Sequence, residues 1–98
     1  MWSRRSGSHG SVELVLYTKP GCHLCDVMKA VVDRVVAKSL QGAITVREVD
    51  ISADASLWSA YGEQIPVLFV NGRKAFKYRL TAEALRDRVR RELTQPPT

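Results

Sequence analysis

Residues 12–26 decide the fold, and they read VELVLYTKPGCHLCD. Val12 to Tyr17 are mostly apolar and β-favouring, with hydrophobic side chains on both faces, which is typical of a strand buried on both sides. The loop Lys19-Pro20-Gly21 ends this strand. Cys22 and Cys25 follow as a Cys-x-x-Cys pair at the start of a helical pattern. The sequence therefore predicts a dithiol at the junction between a strand and the first turn of a helix.

The residues after the dithiol complete a strand–helix–strand unit. Apolar side chains recur at helical spacing at Leu24, Val27, Met28, Val31, Val32, Val35 and Val36. Gln41-Gly42 ends this predicted helix, and Ile44–Ile51 alternates between apolar and polar residues as a strand does. Because a helix joins the two strands, we expect them to pair in parallel with a right-handed crossover.

The second half of the chain predicts a short helix and a hairpin. Asp54 caps the short helix, which Gly62 ends. Asn71-Gly72 separates two apolar segments, Val67–Val70 and Lys74–Tyr78. This dipeptide between apolar runs is a strong signal for a tight β-hairpin.

A last helix follows the hairpin, and Thr81 caps it. Its apolar face consists of Leu85, Val89 and Leu93. The order βαβαββα predicts an α/β fold with a four-stranded mixed sheet and helices on both faces. We expect one domain over residues 12–94, a flexible leader over residues 1–11 and a tail over residues 95–98.

Length and composition exclude several classes of protein. Of the 98 residues, 45% are hydrophobic and 26% charged, as in a globular domain and unlike a disordered or disulfide-dense chain. No stretch approaches the roughly 18 apolar residues of a membrane span, and the first residues lack the apolar segment of a signal peptide. We expect a cytoplasmic protein with no membrane contact.

The net charge of +5 is a weak signal for a partner. Its densest cluster lies on the last predicted helix and consists of Arg86, Arg88, Arg90 and Arg91, interleaved with Asp87 and Glu92. No aromatic platform or nucleic-acid motif accompanies these arginines. The pattern indicates a solvated helix face, and we expect no nucleic acid partner.

The position of Cys22 predicts its chemistry. Backbone N–H groups at a helix N-terminus are unpaired and the helix dipole is positive there, so a thiolate is stabilised. Such sites lower a cysteine pKa from about 8.5 to roughly 3.5–7.5. Lys19 and a protonated His23 would act in the same direction. Cys25, one turn further along, can attack a mixed disulfide on Cys22. We predict that Cys22 is the nucleophile and Cys25 the resolving thiol.

Other uses of the cysteine pair fit the sequence less well. A zinc site needs about four ligands, and beyond the cysteines the chain offers only His23, held between them, and His9. Haem attachment requires a histidine directly after the second cysteine, where this chain has Asp26. Inert core cysteines would fit better within the valine stripe than next to an exposed loop. We expect no metal at this site.

Ile65-Pro66 is the second element of the predicted site. A proline is tolerated at the start of an apolar strand, where its missing N–H is not needed. Its place after βαβα and before the hairpin predicts a cis peptide that turns the chain beside Cys22. Backbone groups of Ile65 would then be free to pair with a substrate.

Together these motifs resemble the glutaredoxin branch of the thioredoxin fold. The resemblance covers residues 12–93, and KPGCHLCD (Lys19–Asp26) is similar to the dithiol segment of a small glutaredoxin-like family. It implies that Cys22 is the nucleophile, Cys25 the resolving thiol and Pro66 the cis-proline. It also implies a glutathione-type groove, lined by Lys19, Gln64 and Ile65.

The chain departs from the glutaredoxin pattern in two places. His23-Leu24 stands between the cysteines, where glutaredoxins commonly have Pro-Tyr. YRLTAE (Tyr78–Glu83) stands where they carry Gly-Gly and acidic residues that bind the γ-glutamyl group of glutathione. Without those glycines a small thiol approaches the backbone less closely, so we expect weak use of glutathione. Arg79 is either a replacement anchor for a carboxylate or an exposed residue at a strand end.

We predict a thiol–disulfide oxidoreductase that reduces protein disulfides or mixed disulfides of small thiols. It would act as a monomer without a tightly bound cofactor, and its co-substrate would be glutathione or another small thiol. Two alternatives remain. One is a dimer that holds a [2Fe–2S] cluster through Cys22 and two glutathiones, which visible absorbance would reveal. The other is a redox-inactive adaptor that binds a partner through its basic helix, which unreactive thiols would reveal.

Overall fold

A computed structural model of the chain describes residues 11–39 and 44–94. The strands are β1 (Val12–Thr18), β2 (Ile44–Asp50), β3 (Val67–Val70) and β4 (Arg73–Lys77). The helices are α1 (His23–Ala37), α2 (Ala55–Tyr61) and α3 (Ala82–Thr94), and a 3₁₀ turn at Ile51–Ala53 follows β2. The predicted order βαβαββα is confirmed. The predicted leader and tail, apart from Ser11, and the helix end at Gln41-Gly42 lie outside the described residues.

The four strands form one mixed sheet in the order β2-β1-β3-β4. β1 pairs with β2 in parallel, as the crossover through α1 predicts, and with β3 antiparallel. β3 and β4 pair antiparallel through the turn at Asn71-Gly72. The φ values of Asn71 and Gly72 are 49° and 83°, the left-handed values that a tight hairpin turn requires.

Two apolar cores lie on opposite faces of the sheet. The larger core is covered by α1 and α3, and its fully buried members include Leu14, Leu16, Met28, Val32, Leu68 and Leu85. The smaller core contains Cys25, Ile51, Ile65 and Val67. Beside it three aromatic rings pack together, with the Tyr17 centroid 4.8 Å from Phe69 and 5.3 Å from Tyr61 of α2. The prediction of helices on both faces is confirmed.

The predicted apolar stripe of α1 is wrong at its first turn. Met28, Val31, Val32 and Val35 are buried, and Val36 is half-buried. Leu24, however, is 37% exposed and Val27 is 46% exposed. Both side chains line a cleft against the segment from Tyr78 to Thr81 instead of packing over the sheet. Two apolar side chains are therefore accessible next to the dithiol.

Side-chain caps fix the ends of the later elements. The Asp54 carboxylate accepts from the N–H groups of Ser56 and Leu57 at 3.0 Å, and the Thr81 hydroxyl accepts from Ala84 N–H at 3.1 Å. β2 is one residue shorter than predicted because Asp50 caps the 3₁₀ turn that begins at Ile51. None of the helices within the described ranges is long and apolar enough to cross a membrane.

Glu92 connects α3 to the hairpin turn. Its carboxylate accepts from Arg88 Nε and from Asn71 Nδ2, each at 2.9 Å. These hydrogen bonds hold the pKa of Glu92 below its ordinary value of 4.5. Folding therefore favours the carboxylate. The resulting stability is fully present above the unfolded-state pKa and is lost as the pH falls through the lower folded-state pKa.

We expect Glu92→Gln to lower the free energy of unfolding near neutral pH, with a difference from wild type that shrinks below about pH 4. Urea unfolding at a series of pH values measures this difference. Asp33→Asn is the control, because its ion pair with Lys29 is solvent-exposed and such pairs contribute little. A Glu92→Gln difference that stays constant from about pH 7 to pH 3 would contradict the assignment.

Candidate active site

The two cysteines are joined in a disulfide at the N-terminus of α1, with Cα atoms 5.2 Å apart. Cys22 is the N-cap residue in extended conformation, and Cys25 lies in the first turn. The Cys22 Sγ accepts a hydrogen bond from the Cys25 N–H at 3.1 Å. An amide that has no carbonyl partner within the helix thus donates to the Cys22 sulfur. This arrangement stabilises a thiolate once the disulfide is reduced.

The two sulfur-bearing residues differ in accessibility. Cys22 is partly exposed at the surface, whereas Cys25 is only 2% exposed. Cys25 packs against Ile51, Ile65 and Val67 in the smaller core. An incoming disulfide can therefore approach Cys22 and is kept away from Cys25, which supports the predicted division of roles.

Ile65-Pro66 is a cis peptide, as predicted. Ile65 belongs to the same buried cluster as Cys25, and Cys22 packs against that cluster. The Pro66 carbonyl accepts a hydrogen bond from the Tyr78 N–H at 2.8 Å. The chain before β3 and the chain after β4 are thereby tied together beside the dithiol.

The charged and polar residues predicted near Cys22 are engaged elsewhere or exposed. The Lys19 Nζ lies 5.6 Å from the centroid of the Trp58 ring. Gln64 accepts from Lys74 Nζ through its side-chain oxygen at 2.8 Å. His23 is exposed at the first position of α1, and its effect on the titration of Cys22 stays a prediction.

Two of the residues predicted to bind a thiol, Gln64 and Arg79, line clefts on the surface. Gln64 lines a cleft of about 500 Å³ next to Trp58. Arg79 lines a separate cleft of about 210 Å³ next to Leu24 and Val27. Gln64 and Arg79 therefore line different clefts, and their roles in binding a thiol stay a prediction.

Tyr78 is a residue of the site that no motif in the sequence marks. Its φ of 70° lies in the left-handed region, and β4 ends before it. Its hydroxyl donates to the Glu63 carbonyl at 2.9 Å. Within the described part of the chain it is the one residue shared by the linings of the two clefts. The missing Gly-Gly pair is the sequence signal that points to this segment.

Exposed apolar side chains line the two clefts, and cations lie next to two of them. The large apolar residues described as exposed are Leu24, Val27, Trp58 and Tyr78, and all four line one of the two clefts. Cations border them, because Lys19 lies over Trp58 and the Lys77 Nζ lies 5.4 Å from the Tyr78 centroid.

We expect Cys22 in the reduced protein to titrate well below the ordinary cysteine pKa of about 8.5, because the terminal amides of α1 favour its thiolate. Thiolate absorbance or alkylation rate against pH, measured in Cys25→Ser, isolates this group. Cys22→Ser is the matched control, in which the pKa of the buried Cys25 thiol should be higher than that of Cys22. A normal thiol at Cys22 would show that the helix terminus does not activate it.

Comparison with known families gives one match over most of the chain. Residues 13–90 match the family described as Glutaredoxin-like domain (DUF836). No curated protein matches the chain significantly in sequence.

Solved structures with the same architecture support this match. The structural genomics target XcR50 from X. campestris is 33% identical, with 79% of this chain and 95% of that chain covered and a TM-score of 0.64. Ne2328 from Nitrosomonas europaea is 26% identical, with coverages of 80% and 91% and a TM-score of 0.65. A thioredoxin variant from Halobacterium salinarum, at 24% identity, coverages of 92% and 81% and a TM-score of 0.61, shows the fold alone. The predicted thioredoxin-like fold is confirmed.

Proposed function

The chain belongs to the glutaredoxin-like domain family, and from this premise we propose that it is a thiol–disulfide oxidoreductase that uses Cys22 and Cys25 as a dithiol. The family and the Cys-x-x-Cys arrangement support a general thiol redox function. One observation carries the finer proposal. The Cys22 Sγ accepts a hydrogen bond from the Cys25 N–H at the N-terminus of α1, whereas Cys25 itself is buried.

The reaction proceeds in two exchange steps. The Cys22 thiolate attacks a substrate disulfide, forms a mixed disulfide and releases the first substrate thiol. The Cys25 thiol gives up its proton and attacks the Cys22 sulfur, which releases the second substrate thiol. The substrate disulfide gains two electrons and two protons, and the protein dithiol becomes the Cys22–Cys25 disulfide.

Electrostatics and geometry both favour this sequence of steps. A low thiol pKa raises the fraction of Cys22 present as thiolate at neutral pH. The positions of the two cysteines, with Cα atoms 5.2 Å apart, allow the second step to occur within the protein. No further ligand is needed to bring the two sulfur atoms together.

We take the substrates to be protein disulfides or mixed disulfides of small thiols, and the donor to be glutathione or another thiol. One chain supplies both cysteines and the Ile65-Pro66 wall beside them, so a monomer suffices for the reaction. The exposed apolar residues Leu24 and Val27 next to the dithiol favour a substrate that presents apolar surface.

The experiment that tests this function is a redox titration of the Cys22–Cys25 pair combined with its exchange rates toward glutathione and toward a protein dithiol. A functional dithiol equilibrates with at least one donor and has a measurable two-electron potential. Cys22→Ser is the control for non-specific oxidation. A pair that exchanges with neither donor faster than free cysteine does would rule the function out.

A further inference from the structure

Tyr78 is common to the two clefts described above. The larger cleft reaches Gln64 and the smaller one begins at Leu24, and Tyr78 lines both. The hydroxyl of Tyr78 donates to the Glu63 carbonyl at 2.9 Å, and its N–H donates to the Pro66 carbonyl at 2.8 Å. The backbone of Tyr78 is therefore tied to Pro66, and its hydroxyl is tied to Glu63.

The two clefts offer different groups to a ligand. The smaller cleft is mainly apolar, since Leu24, Val27 and Leu80 line it, and Arg79 is the cationic residue in its lining. The larger cleft lies on the side of Trp58, over which the Lys19 ammonium sits. One cation, Arg79, thus lines the smaller cleft, and another, Lys19, lies over a ring that lines the larger cleft.

We expect this arrangement to bind a glutathione disulfide and a polypeptide disulfide differently. Glutathione has a carboxylate at each end and no large apolar side chain, so pairing both carboxylates with Lys19 and Arg79 would draw its backbone across Tyr78. An extended polypeptide needs the smaller cleft alone. One apolar side chain can enter that cleft, and a neighbouring carboxylate can meet Arg79.

Resting on the proposed function, we infer that Tyr78 is a specificity-determining residue that selects polypeptide disulfides over glutathione disulfides. The preferred polypeptide carries an apolar residue and an acidic residue next to its cysteine. Tyr78 acts by position, because it lines both clefts and a ligand that spans them must cross it.

Single-turnover reduction tests this inference with two probes, oxidised glutathione and the homodisulfide of a short Leu-Cys-Asp peptide. Each reaction converts the protein dithiol to its disulfide and each probe disulfide to two thiols, so no other reductant is required. Tyr78→Gly and Tyr78→Asn remove the ring, and both residues accept the left-handed φ of 70° at this position. Tyr78→Phe is the matched control, because it keeps the ring and loses only the hydroxyl hydrogen bond to Glu63.

We expect the wild type and Tyr78→Phe to reduce the peptide disulfide faster than oxidised glutathione. Removal of the ring should raise the glutathione rate about tenfold or more while the peptide rate is unchanged or lower, since a productive orientation of the small disulfide becomes accessible. The ratio of the two rates is the readout, because a purely structural role would change both rates by the same factor. Thermal melts identify folded variants, and Tyr78→Asn replaces Tyr78→Gly if the latter does not fold.

The outcomes separate the inference from the function on which it rests. A wild type that reduces neither probe overturns the proposed function. A wild type that reduces both, with a rate ratio unaltered by loss of the ring, leaves the function standing and overturns the role of Tyr78. A wild type that prefers oxidised glutathione overturns it as well.

Discussion

Cys25→Ser is expected to accumulate a mixed disulfide with its substrate, whereas Cys22→Ser is expected to lose disulfide exchange altogether. The reason is that Cys22 is the accessible N-cap thiol, and Cys25 is 2% exposed and can act only on a disulfide already formed at Cys22. Incubation of each reduced variant with a disulfide probe, followed by non-reducing mass spectrometry, measures the trapped species.

The control for this experiment is the double variant Cys22→Ser/Cys25→Ser, which gives the background of the assay. The loss in Cys22→Ser should reach that background, because the chain contains no third cysteine to replace it. Equal trapping in the two single variants would contradict the assignment of nucleophile and resolving thiol.

Leu85→Ala is expected to lower the free energy of unfolding by about 2–5 kcal/mol, a large part of the roughly 5–15 kcal/mol typical of a domain. Leu85 is 0% exposed and packs α3 into the larger core on one face of the sheet. Alanine is a good helix former, so the loss reflects the cavity and not helix propensity. Urea unfolding measures it.

Leu24→Ala is the matched control for Leu85→Ala. The same atoms are removed from a side chain that is 37% exposed, so the loss of stability should stay below about 1 kcal/mol. If Leu24→Ala costs as much as Leu85→Ala, then Leu24 is a core residue after all, and the cleft beside the dithiol is not an accessible surface.

Local signals in the sequence were sufficient for most of the fold. The hairpin follows from Asn71-Gly72, since both residues take the left-handed backbone that this turn needs. The caps at Asp54 and Thr81 follow from side chains that reach unpaired amides one turn away. The placement of Cys22 at the terminus of α1 follows from the loop Lys19-Pro20-Gly21 directly before it.

Features that depend on the relative position of distant segments could not be predicted in the same way. Helical spacing groups Leu24 and Val27 with the buried stripe, but it does not tell where the first turn of α1 extends beyond the packed sheet. Likewise, Gln64 and Arg79 line different clefts, and Tyr78 lines both. The left-handed backbone of Tyr78 is not marked by a glycine in the sequence. Tertiary contacts decide such positions.

The most direct measurement is a stopped-flow single turnover of the fully reduced protein with the Leu-Cys-Asp peptide disulfide. We predict that one peptide disulfide is consumed per protein molecule, that the Cys22–Cys25 disulfide forms at the same rate, and that this rate exceeds that of free cysteine at neutral pH by about a hundredfold. A rate equal to that of free cysteine with both this probe and oxidised glutathione, or consumption of the probe without formation of the Cys22–Cys25 disulfide, would contradict a dithiol oxidoreductase.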